Sequence, residues 1–177
     1  MKKKRIIVII ILVVLVLLWL IGIYKLSSMN TSNSNGKSSG IIGVFIEDTL
    51  EVTNKYGITN SHPDSGKIEK ASQLLNRPLR KVMHASVYFV LSLLIVFVIN
   101  YLFHHKKYLL SAIISIFLLV IAAGFDEFHQ TFVDGRTGAI KDVLIDTAGG
   151  VAGLLFYGSY YFVYKRGYKR GLIESKK

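Results

Sequence analysis

Four apolar blocks dominate the pattern of hydrophobic and polar positions along the chain. They cover about residues 6–26, 82–103, 108–125 and 143–164. A helix that crosses the hydrocarbon core of a bilayer needs roughly 20 mostly apolar residues, and each block is close to that length. We therefore expect an all-α membrane protein with four transmembrane helices.

The first block has two interpretations. Four basic residues precede it, as in a secretory signal peptide. However, its apolar core is longer than the roughly 7–15 residues of a signal peptide, and no small-residue cleavage site follows. We therefore predict an uncleaved anchor helix within residues 1–26.

Residues 27–79 lack a long apolar block. The serine- and glycine-rich stretch from Asn30 to Gly40 predicts a linker. After it, residues 41–53 place apolar side chains on one helical stripe, which predicts a short amphipathic helix. Residues 67–76 predict another, which should end at Arg77 because proline disfavours a helical conformation in the residue before it. We expect this region to lie outside the membrane.

The excess of basic over acidic residues is confined to the segment before the first block, the link between the second and third blocks, and the segment after the last block. Residues 2–5, 106–107 and 165–177 together account for the net charge of +11, since basic and acidic residues balance elsewhere. Short cytoplasmic segments of membrane proteins carry such an excess of lysine and arginine. We therefore expect both termini in the cytoplasm and residues 165–177 as a basic tail. A nucleic-acid-binding face would not follow this alternation, so we expect no nucleic-acid partner.

Composition narrows the chemistry. The chain is 51% hydrophobic with a mean hydropathy of +0.44, which is too apolar for an ordinary soluble domain. It has no cysteine, which excludes disulfides, thiolate zinc sites and cysteine nucleophiles. It also has no glycine-rich phosphate loop, nucleotide fingerprint or serine nucleophile elbow, and no cofactor is indicated.

The outer end of the third block is rich in polar residues. If the helix continues past residue 125, Asp126, His129 and Gln130 share one face, with Glu127 beside them. An aspartate that orients a histidine could make it a general base, so Asp126, Glu127 and His129 are candidate catalytic residues. The alternative is an ordinary solvated helix end.

A turn with two glycines follows, in which Gly135 and Gly138 flank Arg136 and Thr137. Arginine binds carboxylate and phosphate well because its planar fork donates to two oxygens at once. Arg136 is therefore a candidate anion-binding residue. Alternatively, it only neutralises Asp126 or Asp142.

The fourth block begins with two acids and continues with small residues. Asp142 and Asp146 are four positions apart and share a face; Asp146 should point into the bundle, because an unpaired carboxylate near lipid is costly. Asp142 could instead only cap the helix, near its positive end. Gly149 and Gly153 have the spacing that lets two membrane helices approach closely.

The second block contributes Arg80, Lys81, His84 and Tyr88 at its outer end. Arg80 and Lys81 are exceptions to the excess of basic residues on the cytoplasmic side, because they flank the expected outer end of the span. Either this excess is only statistical, or acids of the third and fourth helices pair with them. Three helices thus bring polar groups to one end, which predicts a single external site. A metal ion held by histidines and acids is conceivable, but no recognised zinc spacing is present, and we assign no metal ligands.

Three runs resemble the VanZ-like family of bacterial membrane proteins. They extend from Arg80 to Tyr88 (RKVMHASVY), from Asp126 to Gly138 (DEFHQTFVDGRTG) and from Asp142 to Gly150 (DVLIDTAGG). The chain departs from the family pattern at Asp134, where proline is usual, and at Val87, where glutamate is frequent. The founding member is associated with low-level resistance to teicoplanin, a lipid-tailed glycopeptide that acts on external cell-wall precursors.

The resemblance implies a multi-pass protein of the bacterial cytoplasmic membrane that meets envelope components at its outer face. Three hypotheses follow. The protein binds or modifies an envelope component and lowers teicoplanin susceptibility; it is an enzyme that acts on an anionic lipid or lipid-linked precursor by acid–base chemistry; or its polar cluster only holds the helices together. The expected partners are membrane lipids, an anionic lipid headgroup or a lipid-linked cell-wall precursor.

Overall fold

The computed structural model describes residues 2–28, 31–56, 65–103, 107–134 and 136–174. Within these ranges the chain forms five helices and no strand, which confirms the all-α prediction. The helices are α1 (Lys2–Ser27), α2 (Thr31–Lys55), α3 (Ser65–Leu102), α4 (Tyr108–Gln130) and α5 (Ile140–Glu174).

Three segments of these helices are long and apolar enough to cross a membrane. They are Lys3–Ser27 in α1, Pro78–Leu102 in α3 and Tyr108–Gln130 in α4, at the positions of the first three predicted spans. The predicted fourth span, residues 143–164, is helical within α5 but is not among these segments. Glycine and tyrosine are frequent in it, and this lowers its apolarity.

Helix α3 lies at the centre and contacts each of the other four helices. Arg5 of α1 donates hydrogen bonds to the carbonyls of Tyr101 and Leu102 at the end of α3, at 3.1 and 2.9 Å, so α1 and α3 are antiparallel. Asn100 of α3 donates to the hydroxyl of Tyr157 in α5 at 3.0 Å. Lys81, earlier in α3, pairs with Asp142 in the first turn of α5, so these two helices run parallel.

Glycines bring α3 and α5 close together. A Cβ atom on Gly149 would overlap the backbone of Ala85, and one on Gly153 would overlap Ser92 and the backbone of Phe89. The helices can therefore approach this closely only because both positions lack a side chain. This confirms the prediction of close helix contact from the spacing of Gly149 and Gly153.

Three basic residues at one end of the bundle each lie beside an aromatic ring. The pairs are Arg5 with Tyr101, Lys107 with Phe103 and Lys165 with Tyr161, at 5.7–5.8 Å from the ring centroid. Tyr108 adds a hydrogen bond across this end, from its hydroxyl to the carbonyl of Leu154 at 2.6 Å.

Two predictions for residues 27–79 were wrong. The stretch predicted as a linker is helical from Thr31 onward, and α3 runs through the predicted stop at Pro78. Packing explains both results: Asn76 of α3 donates a hydrogen bond to the Ser39 hydroxyl of α2 at 3.1 Å, and Ile68 faces Gly43. Contacts between α2 and α3 thus outweigh the weak helix propensity of serine and glycine and the hydrogen bond that proline cannot donate.

Candidate functional site

A polar cavity of about 600 Å³ opens at the end of the bundle opposite Arg5, Lys107 and Lys165. Helix α3, the end of α4, the loop after it and the first turns of α5 form its walls. The lining residues are Gln73, Asn76, Arg80, Lys81, His84, Glu127, Gln130, Arg136, Thr137, Ala139, Asp142, Ile145 and Asp146. We call this space the polar cavity.

One face of α3 supplies much of the wall. Gln73, Asn76, Arg80 and His84 follow one another at helical spacing, and all four line the cavity. They share a face only because α3 is unbroken at Pro78. On the rim, Lys81 forms an ion pair of 3.1 Å with Asp142 of α5, which confirms the expectation that an acid compensates this lysine.

The end of α4 holds two buried acids. Gln130 donates from its amide nitrogen to Asp126 Oδ2 at 3.1 Å and to Glu127 Oε1 at 3.2 Å. The other oxygen of Glu127 accepts a hydrogen bond from the backbone N–H of Ala139 at 2.9 Å. Glu127 therefore fastens the loop after α4, and this anchor also places the start of α5.

The approach of that loop to α4 depends on Gly138. A Cβ atom at this position would overlap the backbone carbonyl of Glu127. Gly135, the other glycine predicted to shape the turn, lies outside the described residues.

Arg136 extends from this loop into the cavity wall. Its side chain is 9% exposed, and neither Nε nor one terminal nitrogen, Nη1, has a hydrogen-bond partner among the described residues. Burial lowers the pKa of the guanidinium and the nearby Arg80 lowers it further, whereas Asp126 and Glu127 raise it. The group nevertheless remains protonated at neutral pH. In the described part of the chain it forms no ion pair with Asp126 or Asp142.

His84, Asp126 and Asp146 come together from three helices. One potential ligand atom of each lies within 4.8 Å of the others. Asp146 is 1% exposed, and neither carboxylate oxygen has a hydrogen-bond partner in the residues described. Nδ1 of His84 lies 3.8 Å from Asp146 Oδ2, which is longer than a hydrogen bond.

His129 lies apart from the polar cavity. Its ring packs against Tyr24 of α1 at 4.4 Å between centroids, and Nδ1 has no partner among the described groups. It lines a second space of about 440 Å³ between α1, α3 and α4, together with Tyr24, Tyr88, Asp126 and mainly apolar side chains. We call this space the apolar groove. The residues that the structure describes include no hydrogen bond between Asp126 and His129.

The sequence analysis did not select five residues of the cavity wall: Gln73, Asn76, Thr137, Ala139 and Ile145. For Gln73 and Asn76 a signal existed, since they continue the face of Arg80 and His84 once the helix is extended through Pro78. Ile145 likewise continues the face of Asp142 and Asp146 in α5. Thr137 and Ala139 depend on how the loop after α4 folds back, which no periodicity in the sequence indicates.

Comparison with protein-family models gives a match over most of the chain. The model of the family described as VanZ/LLP1 matches residues 7–162, a range that begins in α1 and ends in α5. Comparison with curated proteins and with solved structures found no match. The matched range covers most of the chain and includes all three runs that resemble VanZ-like proteins, so the chain belongs to the VanZ/LLP1 family of membrane proteins.

Proposed function

We propose that the polar cavity binds the anionic headgroup of a membrane lipid or lipid-linked envelope component, and that this binding lowers susceptibility to lipoglycopeptides such as teicoplanin. One observation carries the proposal. Arg136 is a buried arginine in the cavity wall with two donor nitrogens that lack a partner among the described residues.

An anion is the ligand that best suits this arrangement. A buried, unpaired charge is costly, and a ligand with two oxygens would satisfy the fork of a guanidinium. Arg80 and Lys81 also line the cavity and add positive charge on the side of α3. Glu127 and Gln130 complete the wall, and Glu127 keeps Arg136 in place through its hydrogen bond to the same loop.

A lipid is favoured as the carrier of that anion. The apolar groove is lined by residues of the three helices that are apolar enough to cross a membrane. Asp126 lines this groove and also lies beside His84 and Asp146 of the polar cavity. An acyl or prenyl chain in the groove would therefore bring its headgroup to the cavity.

The proposal places the cavity on the outer face of the bacterial cytoplasmic membrane. In this topology α5 is a fourth transmembrane span, so the chain crosses the membrane four times and both termini lie in the cytoplasm. The opposite directions of α1 and α3 and the basic, aromatic-flanked end support it, because cytoplasmic ends of spans are rich in lysine and arginine.

The topology can be tested with single cysteines, since the chain has none of its own. We expect a membrane-impermeant maleimide to label Asp134→Cys on intact cells and to label Lys165→Cys only after permeabilisation. The reverse pattern, or equal labelling of both before permeabilisation, would contradict an outward cavity.

The function is tested by teicoplanin susceptibility in a sensitive Gram-positive host that expresses the wild type or a variant at equal membrane abundance. We expect the wild type to raise the inhibitory concentration and Arg136→Ala to abolish the effect. Arg166→Ala removes an exposed arginine from the opposite end and should protect like the wild type. Protection by Arg136→Ala equal to that of the wild type would refute the role of the cavity.

A further inference from the structure

The structure points to a second ligand beneath Arg136. We propose that His84, Asp126 and Asp146 bind one divalent transition-metal ion, best matched by Zn²⁺, at the floor of the polar cavity. The anion-binding proposal rests on Arg136, which is not a ligand of this ion, so each proposal can fail without the other.

Geometry is the first support. The three potential ligand atoms lie within 4.8 Å of one another. Ligand atoms on one tetrahedral zinc ion, each at roughly 2.0–2.2 Å from it, are about 3.3–3.6 Å apart. The present spacing exceeds that of a loaded site by at most about 1.5 Å, which side-chain rotations can close. Because the ligands come from α3, α4 and α5, the backbone already fixes their mutual positions.

Unbalanced charge is the second support. Asp126 and Asp146 are 5% and 1% exposed, and in the described part of the chain neither forms an ion pair with lysine or arginine. Asp126 accepts a hydrogen bond from Gln130, whereas both oxygens of Asp146 are without one among the described residues. Two buried carboxylates without a lysine or arginine partner are costly, and His84, whose Nδ1 lies 3.8 Å from Asp146 Oδ2, can balance at most one of the two charges. A divalent ion would neutralise both.

The surroundings suit a metal ion as well. Ligating carboxylates are usually held by a hydrogen bond from a neighbouring side chain, and Gln130 provides this for Asp126. Tyr88 follows His84 by one turn of α3; it is 1% exposed, its hydroxyl has no partner among the described groups, and it lies within electrostatic range of Asp126 and Asp146.

The ligand set selects the kind of ion. One imidazole nitrogen with two carboxylates favours zinc and its neighbours over calcium or magnesium, which prefer oxygen ligands alone. Three protein ligands also leave one position open, as in catalytic rather than structural zinc sites. Since His84 and Asp146 line the cavity, that open position would face the space into which Arg136 projects.

The test measures metal content in purified full-length protein without a polyhistidine tag. The protein is stripped with EDTA, incubated with Zn²⁺, dialysed and analysed by plasma mass spectrometry. We expect about one tightly bound zinc per chain. His84→Gln, Asp126→Asn and Asp146→Asn should each reduce the affinity at least tenfold.

Matched controls isolate the site. His129→Gln, Asp134→Asn and the double variant His104→Gln/His105→Gln should bind zinc like the wild type, because they remove histidines or an acid outside the cluster. Arg136→Ala should also retain zinc even where it abolishes anion binding. Helical content by circular dichroism and the elution volume in size-exclusion chromatography identify variants that fail to fold. His84 is partly exposed, so His84→Gln should disturb folding less than the substitutions of the two buried aspartates.

Wild-type protein that retains no stoichiometric zinc would overturn the proposal. So would a folded His84→Gln variant that retains zinc with wild-type affinity, since the metal would then be bound elsewhere. Zinc lost from the double variant at His104 and His105 would assign the site to those histidines and equally overturn the proposal.

Discussion

Replacing Gly149 with alanine should destabilise the bundle, although alanine is the better helix former. The substitution gains roughly 1 kcal/mol of helix propensity. Against this, the new Cβ would overlap the Ala85 backbone, and overpacking typically costs about 1–3 kcal/mol. Backbone atoms cannot rotate away as a side chain can, so the cost should lie near the upper value. We expect a net loss of about 1–2 kcal/mol of unfolding free energy.

Gly124→Ala is the matched control for this change. Gly124 lies within the candidate membrane span of α4, and a Cβ atom there would have no neighbour within 4 Å. This variant should be as stable as the wild type or slightly more stable. Unfolding of both purified variants can be followed by circular dichroism during titration with SDS in mixed micelles.

Gly149→Ala should also alter the geometry of the polar cavity, because Gly149 follows Asp146 by about one turn of α5. Moving α5 away from α3 lengthens the 3.8 Å approach of His84 to Asp146. The reasoning is refuted if Gly149→Ala proves as stable as Gly124→Ala, since α3 and α5 would then not be in the close contact described here.

Three further substitutions test individual contacts of the bundle. Tyr108→Phe removes the hydrogen bond to the Leu154 carbonyl and should cost about 0.5–1.5 kcal/mol in the same unfolding assay; no loss would contradict that bond. Glu127→Ala releases the loop after α4 and should increase its cleavage by added protease, with unchanged cleavage as the contrary result. Lys81→Ala breaks an exposed ion pair with Asp142 and should change stability by less than about 1 kcal/mol; a larger loss would mean that the pair is more deeply buried.

The helices of the bundle could be predicted from periodicity and length because bilayer spans leave a strong local signal. Residues 31–40 and Pro78 mark where that signal fails. Serine and glycine have weak helix propensity and proline cannot donate a backbone hydrogen bond. The contacts between α2 and α3 that outweigh these preferences link distant positions, such as Ser39 and Asn76.

The candidate site shows the same division. Helical spacing predicted that the acids of α4 and α5 lie at the same end as the basic residues and His84 of α3. It could not predict which of the two histidines at similar depth, His84 or His129, lies beside the acids of the site. The packing of α1 against α4 places His129 beside Tyr24, whereas the parallel approach of α3 to α5 places His84 beside Asp146. Which side of a helix faces a neighbour depends on the arrangement of the helices, and one sequence alone does not specify it.

Direct lipid binding tests the central claim that Arg136 holds an anionic headgroup. Native mass spectrometry would compare retention of phosphatidylglycerol and phosphatidylcholine by the wild type, Arg136→Ala and Arg166→Ala. Loss of charge-assisted hydrogen bonds worth about 1.5–3 kcal/mol corresponds to roughly 10–150-fold weaker binding. We predict that the preference for phosphatidylglycerol over phosphatidylcholine falls by about this factor in Arg136→Ala and is unchanged in Arg166→Ala. Equal preference in all three proteins would contradict the account.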